Sequence, residues 1–296
     1  MDIFQLPDPP QFSKEELKKC QNSGEYRPIL FEWYKYVGIV CHTIASIKQE
    51  SPSMKNISEL DYAILIGLLN RCSNLIYANT VLSKESYFGE TTAIIDRCIF
   101  ESTVKIIWLC NNSREDRFKR YILDGLKVEL VFKNKINDII SERQSKPLII
   151  ENRMLRSIEN YIVISGVQEN EIIKSKSLPS LASMIEDIGQ DKLLYVVGQK
   201  IGSHHVHGTW PSLILHYLDR ENEQFTVRHS KCETNANQYV FIPIFVLCSL
   251  RKFIKHVILK DDISKIFIDL FDSIEEEIRK LNIEMIGEDF KEIDVS

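Results

Sequence analysis

The sequence predicts an all-α protein, a compact multi-helix bundle with at most a small β-hairpin near residues 216–230. Two observations carry that expectation. Apolar residues recur at i, i+3, i+4 and i+7 along almost the whole chain, the period that gathers them on one face of a helix. Only 11 glycines and 9 prolines punctuate 296 residues, too few for the turns of an all-β fold or for long disorder. With 44% hydrophobic and 27% charged residues, a chain of this length can bury a sizeable core.

Taken in order, residues 1–57 read as an N-terminal arm and helix packed on a bundle formed by 58–296, the whole making one compact unit. The opening MDIFQLPDPPQF lacks the basic and apolar regions of a secretory signal. The first long helix is expected over Pro28–Lys48, with Leu30, Trp33, Tyr34, Val37 and Val40 on one stripe. Ser58-Glu-Leu-Asp61 resembles a capping box with Asp in place of Glu and starts a helix that runs to about Leu82. Another follows from about Thr91 to Cys110. Ser113-Arg-Glu-Asp116 opens the next, which carries Tyr121, Leu126, Leu130 and Phe132 and is charged on its other face. Pro147 then suits a helix start. Further helices are expected at 147–164, 179–188, 190–205, 238–260 and 263–281. In HYLDRENEQFTVRHS (216–230), two alternating runs flank Arg220-Glu-Asn-Glu223, the pattern of a hairpin. The apolar run YVFIPIFVLCSL (239–250) is too short to span a membrane and ends in Arg251 and Lys252, so it reads as a buried helix.

Charge and cysteine usage narrow the class. Lys+Arg 37 against Asp+Glu 42 leaves a net charge of −5, so contact with a nucleic acid requires a local basic patch. The seven cysteines form no C-x-x-C pair and mostly fall in apolar helical runs, where a thiol behaves as a small hydrophobe. Reduced thiols in a cytoplasmic protein are expected.

Two constellations could carry chemistry. In DRCIFESTVK (96–105), Arg97 and Glu101 are i,i+4 neighbours on one helix face. They form either a structural ion pair or a site in which Arg97 holds an anionic group while Glu101 orients it or acts as base. In GQKIGSHHVHGTWPS (198–212), three of the seven histidines, His204, His205 and His207, fall within four positions. Ser203 and His207 are again i,i+4, near a helix end that Gly208 can cap. A metal site needs three or four convergent ligands, whereas His205-x-His207 supplies two at most, so no metal and no other cofactor is expected. Ser203 lacks the G-x-S-x-G setting of a nucleophile and reads as a hydrogen-bond partner for an imidazole. Acid–base work by His207 or His204 remains, with Lys200 as the nearest cation; His205 joins them as a binding residue.

The segment Leu178–Tyr217, with its LPSL start, Tyr195, S-H-H-V-H core and SLILHY tail, resembles a bacterial family of helical proteins of unknown function. That family pairs an S-x-x-V-H-like motif with an earlier R-x-x-x-E-like helix, and the resemblance covers roughly residues 60–255. It implies that Arg97, Glu101, Ser203, Val206 and His207 converge on one site. More distantly, the chain is similar to HEPN proteins, helical bundles that include metal-independent ribonucleases of toxin and phage-defence systems. Their signature is Arg, four to six intervening residues, then His. Arg251-Lys-Phe-Ile-Lys-His256 matches it literally, while Lys200-x6-His207 puts lysine where the signature has arginine. The resemblance implies RNA as substrate, a homodimer with the site at its interface, and a protein partner in a defence operon. On that reading Arg97 contacts a phosphate, Glu101 orients it, and His207, positioned by Ser203, acts as acid or base. The alternative is a non-catalytic helical interaction protein that binds a nucleotide, an RNA end or a protein. In a third reading the cluster only satisfies buried polar groups between helices.

Overall fold

A computed structural model describes residues 6–111, 116–221 and 223–286. The protein is all-α apart from one two-stranded hairpin. Two compact units divide the chain: 112–180, and a larger one formed by the segments on either side.

In the larger unit, α1 (Lys14–Ser23) precedes α2 (Arg27–Ala45), α3 (Glu59–Ser83) and α4 (Gly89–Cys110). Ser58 caps α3 as expected, its Oγ accepting from Asp61 N at 3.1 Å. Late in the chain come α12 (Gln238–Val257) and α13 (Asp261–Ile286). Helices α2, α3, α4 and α12 pack as a closed ring in which each touches two others, and α13 covers α12. The residues turned to the centre explain the ring. On α2 they are Leu30, Tyr34, Val37, Cys41 and Ile44; on α3, Tyr62, Leu65, Leu69, Cys72, Ile76 and Asn79. On α4 they are Thr92, Asp96, Ile99, Thr103 and Ile106, and on α12 Tyr239, Pro243, Val246, Leu250, Phe253 and Val257. All four helices alternate steps of three and four, the repeat that sets helices into a bundle at shallow crossing angles.

One layer of this core is polar. Tyr34 Oη donates to Asp96 Oδ1 at 2.9 Å, and Asn79 Nδ2 reaches the same oxygen at 2.7 Å. The Tyr239 ring stands edge-on to Tyr34 at 5.3 Å. Asp96 Oδ2 and Asn79 Oδ1 are buried without a partner among the described residues. Burial pushes the Asp96 carboxyl up to about 8, against the opposing hydrogen bonds from Tyr34 and Asn79, so it is held as the neutral acid near neutral pH.

The smaller unit consists of α5 (Arg117–Arg143), α6 (Ile149–Ile164) and α7 (Glu169–Lys174). Leu123, Leu126, Leu130, Ile136, Ile158, Ile162, Val167 and Ile172 form its core. Asp116 caps α5 by accepting from Lys119 N at 2.8 Å; Ser113, Arg114 and Glu115 of the expected cap lie outside the described residues.

Between α7 and α12 run α8 (Leu181–Asp187), α9 (Lys192–Tyr195), a π-helical segment Val196–Ile201, α10 (Gly202–Val206) and α11 (Trp210–His216). The expected hairpin follows as β1 (Leu218–Glu221) and β2 (Gln224–Val227), antiparallel with Leu218 opposite Val227; Asn222 of its turn lies outside the described residues. No helix among the described residues is long and apolar enough to cross a membrane.

Candidate functional site

The histidine segment lies along α4 because two glycines let it. A β-carbon on Gly198 would run into the Phe100 ring, and one on Gly202 would sit 3.2 Å from the Arg97 β-carbon. The pair is spaced i,i+4, so both face α4 and bring the backbone against it. The expected helix over 190–205 is present but carries a π-helical turn at 196–201, a feature common at functional sites. Its end is set by Gly208 at φ 54, with Thr209 N bonding back to His204 O at 3.1 Å, the six-to-one bond of a Schellman motif.

Arg97 Nε lies 3.3 Å from Glu101 Oε1, an ion-pair distance without hydrogen-bond alignment, and the guanidinium stem lies under Gly202. Arg97 and the 202–203 backbone are therefore neighbours. Ser203 Oγ donates to Gln199 O at 2.8 Å and not to an imidazole, since a serine inside a helix readily bonds the carbonyl four residues back. His207 is exposed past the last helical turn, held by its own N–H on Ser203 O. His204 Nδ1 meets Thr209 Oγ1 at 2.7 Å, and Lys200 Nζ lies 5.8 Å from the centre of the Tyr195 ring. Of the literal R-x4-H match, Arg251 is engaged by α13, at 2.7 Å from both Asp272 and Glu275. His256, five positions on, points about 140° away around the helix.

A different set converges around His205. Its Nδ1 is 3.4 Å from Ser212 Oγ and 3.1 Å from His216 Nε2, and the two rings stand edge-on at 4.9 Å. The opposite nitrogen of His216, Nδ1, is 2.9 Å from Cys232 Sγ. Ser212 Oγ and Tyr217 Oη both donate to the Glu90 carboxylate, in the first turn of α4. The result is a continuous polar chain: Cys232, His216, His205, Ser212, Glu90, Tyr217. Gly89 closes it, since its N–H donates to Cys232 O at 2.9 Å and a β-carbon there would lie 2.6 Å from Glu233 O. Arg228 anchors the hairpin beside it, donating to Asp219 at 2.9 Å and Leu218 O at 3.0 Å.

Burial lowers the affinity of His205 and His216 for protons, opposed by the Glu90 charge, so both rings are neutral at neutral pH. Burial raises the Cys232 thiol, and the bond to Glu90 pushes Tyr217 up to about 12. Neutral imidazoles offer one donor and one acceptor each, which fixes two proton arrangements along the chain. Either Cys232 donates to His216 and His216 to His205, or His205 donates to His216 and His216 to the sulfur. Shifting protons from the first arrangement leaves a thiolate at one end and an imidazolium near Glu90 at the other.

A single ion could not take this whole set as ligands, because Cys232 and His205 face opposite edges of the His216 ring. Among the described residues, no group of three or more His, Cys, Asp or Glu side chains is placed to hold a metal ion. Glu90, Ser212, His216, Tyr217 and Cys232 were not singled out by spacing. One signal was legible: Glu90, Arg97 and Glu101 follow each other at i, i+7 and i+11, a charged stripe on the face of α4 that receives the histidine segment.

Residues 62–225 match the model of a family described as a family of unknown function, DUF5677. The matched span holds every member of the polar chain except Cys232. No curated protein and no solved structure matches the chain.

Proposed function

The chain belongs to DUF5677, a family of unknown function, and from the geometry around His205 we propose that it cleaves single-stranded RNA without a metal. The observation that carries this reading is the pair of neutral imidazoles, His205 and His216, with nitrogens 3.1 Å apart. Cutting an RNA phosphodiester requires one group to take the 2′-hydroxyl proton and another to protonate the 5′-oxygen, and two adjoining imidazoles can share these roles by passing a proton between them. The adjoining helix and hairpin expose rings on which unpaired bases can stack. Trp210 stands edge-on to Phe225 at 5.3 Å, both about half exposed, and the Arg220 guanidinium lies 5.7 Å from the Phe225 ring. Stacking of this kind tolerates any base and suits a protein whose net charge of −5 gives no general attraction for phosphate. In this reading Lys200, His204 and His207 contact phosphates. Arg97 and Glu101 hold the segment that carries His205, and Ser203 secures its helix.

The HEPN resemblance read from the sequence would imply the same chemistry, although Arg251 of its literal motif is paired with Asp272 and Glu275. With it come a toxin or phage-defence role, a homodimer and a protein partner from a defence operon. The alternative, binding of an RNA end or nucleotide without turnover, is favoured by the fact that each imidazole already has partners inside the chain.

Purified protein should cut RNA in the presence of chelator and leave 2′,3′-cyclic phosphate or its hydrolysed form, because the 2′-hydroxyl is the only nucleophile required. His205→Ala and His216→Ala should each slow cleavage by roughly 10²–10⁴-fold. His207→Ala and Trp210→Ala should act mainly on KM. The panel should include total RNA, transfer RNA and lysate from phage-infected cells. Binding without cleavage across that panel favours the non-catalytic reading, and absence of both removes RNA from consideration.

A further inference from the structure

All seven cysteines lie among the described residues, and six of them sit in helices. Cys232 is the exception, in the loop between β2 and α12 and partly exposed. From its position at the end of the polar chain, we propose that Cys232 is a covalent modification site. It is a nucleophilic thiol with His216 as its base and His205 as the positioning residue, and it takes small disulfides as substrate. This inference goes beyond the RNA reading and holds whether or not RNA is cut.

The arrangement follows the logic of an activated nucleophile: thiol and base within hydrogen-bond reach, and the base oriented through its other nitrogen by a third group. Cys232 Sγ is 2.9 Å from His216 Nδ1, and His216 Nε2 is 3.1 Å from His205 Nδ1. His205 in turn faces Ser212, whose hydroxyl donates to Glu90, so the positive charge created when the thiol ionises settles near a carboxylate. Arg228 adds a cation that favours the thiolate. Partial burial keeps the resting sulfur protonated, which makes its reactivity depend on His216.

In the reaction the S–H proton passes to His216 Nδ1 and the sulfur attacks one sulfur of the small disulfide. A new S–S bond forms as the old one breaks. The leaving thiolate takes the proton from His216, so one disulfide and one thiol enter and one mixed disulfide and one thiol leave. No other oxidant is consumed.

The competing thiols are poorer candidates for stated reasons. Cys20, Cys41 and Cys72 are buried, and burial raises Cys248 and pushes Cys110 up to about 12. Cys98 is partly exposed on α4, but among the described residues no imidazole is found against its sulfur.

The test treats folded, reduced protein with dithiobis-nitrobenzoate and, in parallel, with glutathione disulfide, and maps the modified residues by peptide mass. Cys232 is expected to react first, about tenfold or more faster than Cys98, Cys110 or Cys248. His216→Ala should slow Cys232 by about tenfold at pH 7 and leave its rate in denaturant unchanged. His205→Gln, checked for native circular dichroism, should shift the pH profile of the Cys232 rate. The proposal is overturned if another cysteine of the wild-type protein reacts first, a result that needs no variant to fold. It also fails if Cys232 reacts equally fast in both histidine variants.

Discussion

Replacing Asp96 by asparagine is expected to stabilise the protein strongly at pH 8 and hardly at all near pH 4. The folded state holds the Asp96 carboxyl as the neutral acid up to about 8, far above its ordinary value of 3.8. Between those values the unfolded chain has released its proton while the folded chain keeps it. The folded state therefore binds more protons, and stability falls as pH rises, by about 1.4 kcal/mol per pH unit for one such group. The loss is complete above pH 8 and on the order of 6 kcal/mol in total. Asparagine carries no such linkage. Its amide oxygen can still accept from Tyr34 and Asn79, and its amide nitrogen can donate toward Asn79 Oδ1, which is buried without a partner among the described residues. Alanine is expected to do the opposite, orphaning the Tyr34 hydroxyl and the Asn79 amide inside the bundle. Urea unfolding of wild type and Asp96→Asn at pH 5, 6, 7 and 8 isolates this group, because linkage from other residues cancels in the difference. A difference that stays flat with pH would sink the account.

Gly198→Ala should lower stability by about 1–3 kcal/mol, the cost of forcing a methyl into a filled core. The sign is the informative part. In an unobstructed helix the same change stabilises by about 0.5–1 kcal/mol. Here the new carbon would meet the ring of Phe100, itself only 1% exposed and held edge-on to Phe245 at 5.0 Å. A smaller partner should relieve the clash, so Gly198→Ala with Phe100→Leu should cost less than the two changes summed. Gly202→Ala should be milder, because the Arg97 stem 3.2 Å away can bend. Stabilisation by Gly198→Ala would mean that the segment does not lie on α4 as described.

The bundle was legible because its helices are long and periodic. Pro28–Lys48, the Ser58 cap, Thr91–Cys110 and the 238–260 run each correspond to an observed helix. The short α7 and α11, and α1 in what reads as an arm, offer too few turns for a period to register. The polar layer was missed for a different reason. Asn79 and Asp96 occupy stripe positions that apolar residues fill elsewhere, and a polar residue in a stripe looks like its boundary until the other helices are in place. The polar chain was harder still. Spacing can pair residues within one helix, such as Arg97 with Glu101. It cannot join Glu90 to Tyr217 or His216 to Cys232, which meet only through the turn at Gly208 and the hairpin. The histidine-rich stretch holds His205 and its partner Ser212, but His216, Glu90, Tyr217 and Cys232 lie outside that stretch.

The ring that α12 closes also sets an order of events during synthesis. Helices α2, α3 and α4 are complete by residue 110, whereas α12 begins at residue 238. At a translation rate of ~5–20 residues per second, three sides of the ring wait on the order of ten seconds for the fourth. If the open ring leaves Asp96 in water during that wait, its carboxyl is ionised like any exposed carboxylate. Residues 112–180 have a core of their own, between Leu123 and Ile172, and can fold in the interval. When α12 arrives and seals the polar layer, Asp96 must take up a proton. Closing the ring is thus a proton-consuming step, and nascent chains should close it more slowly in an alkaline translation lysate than in a slightly acidic one.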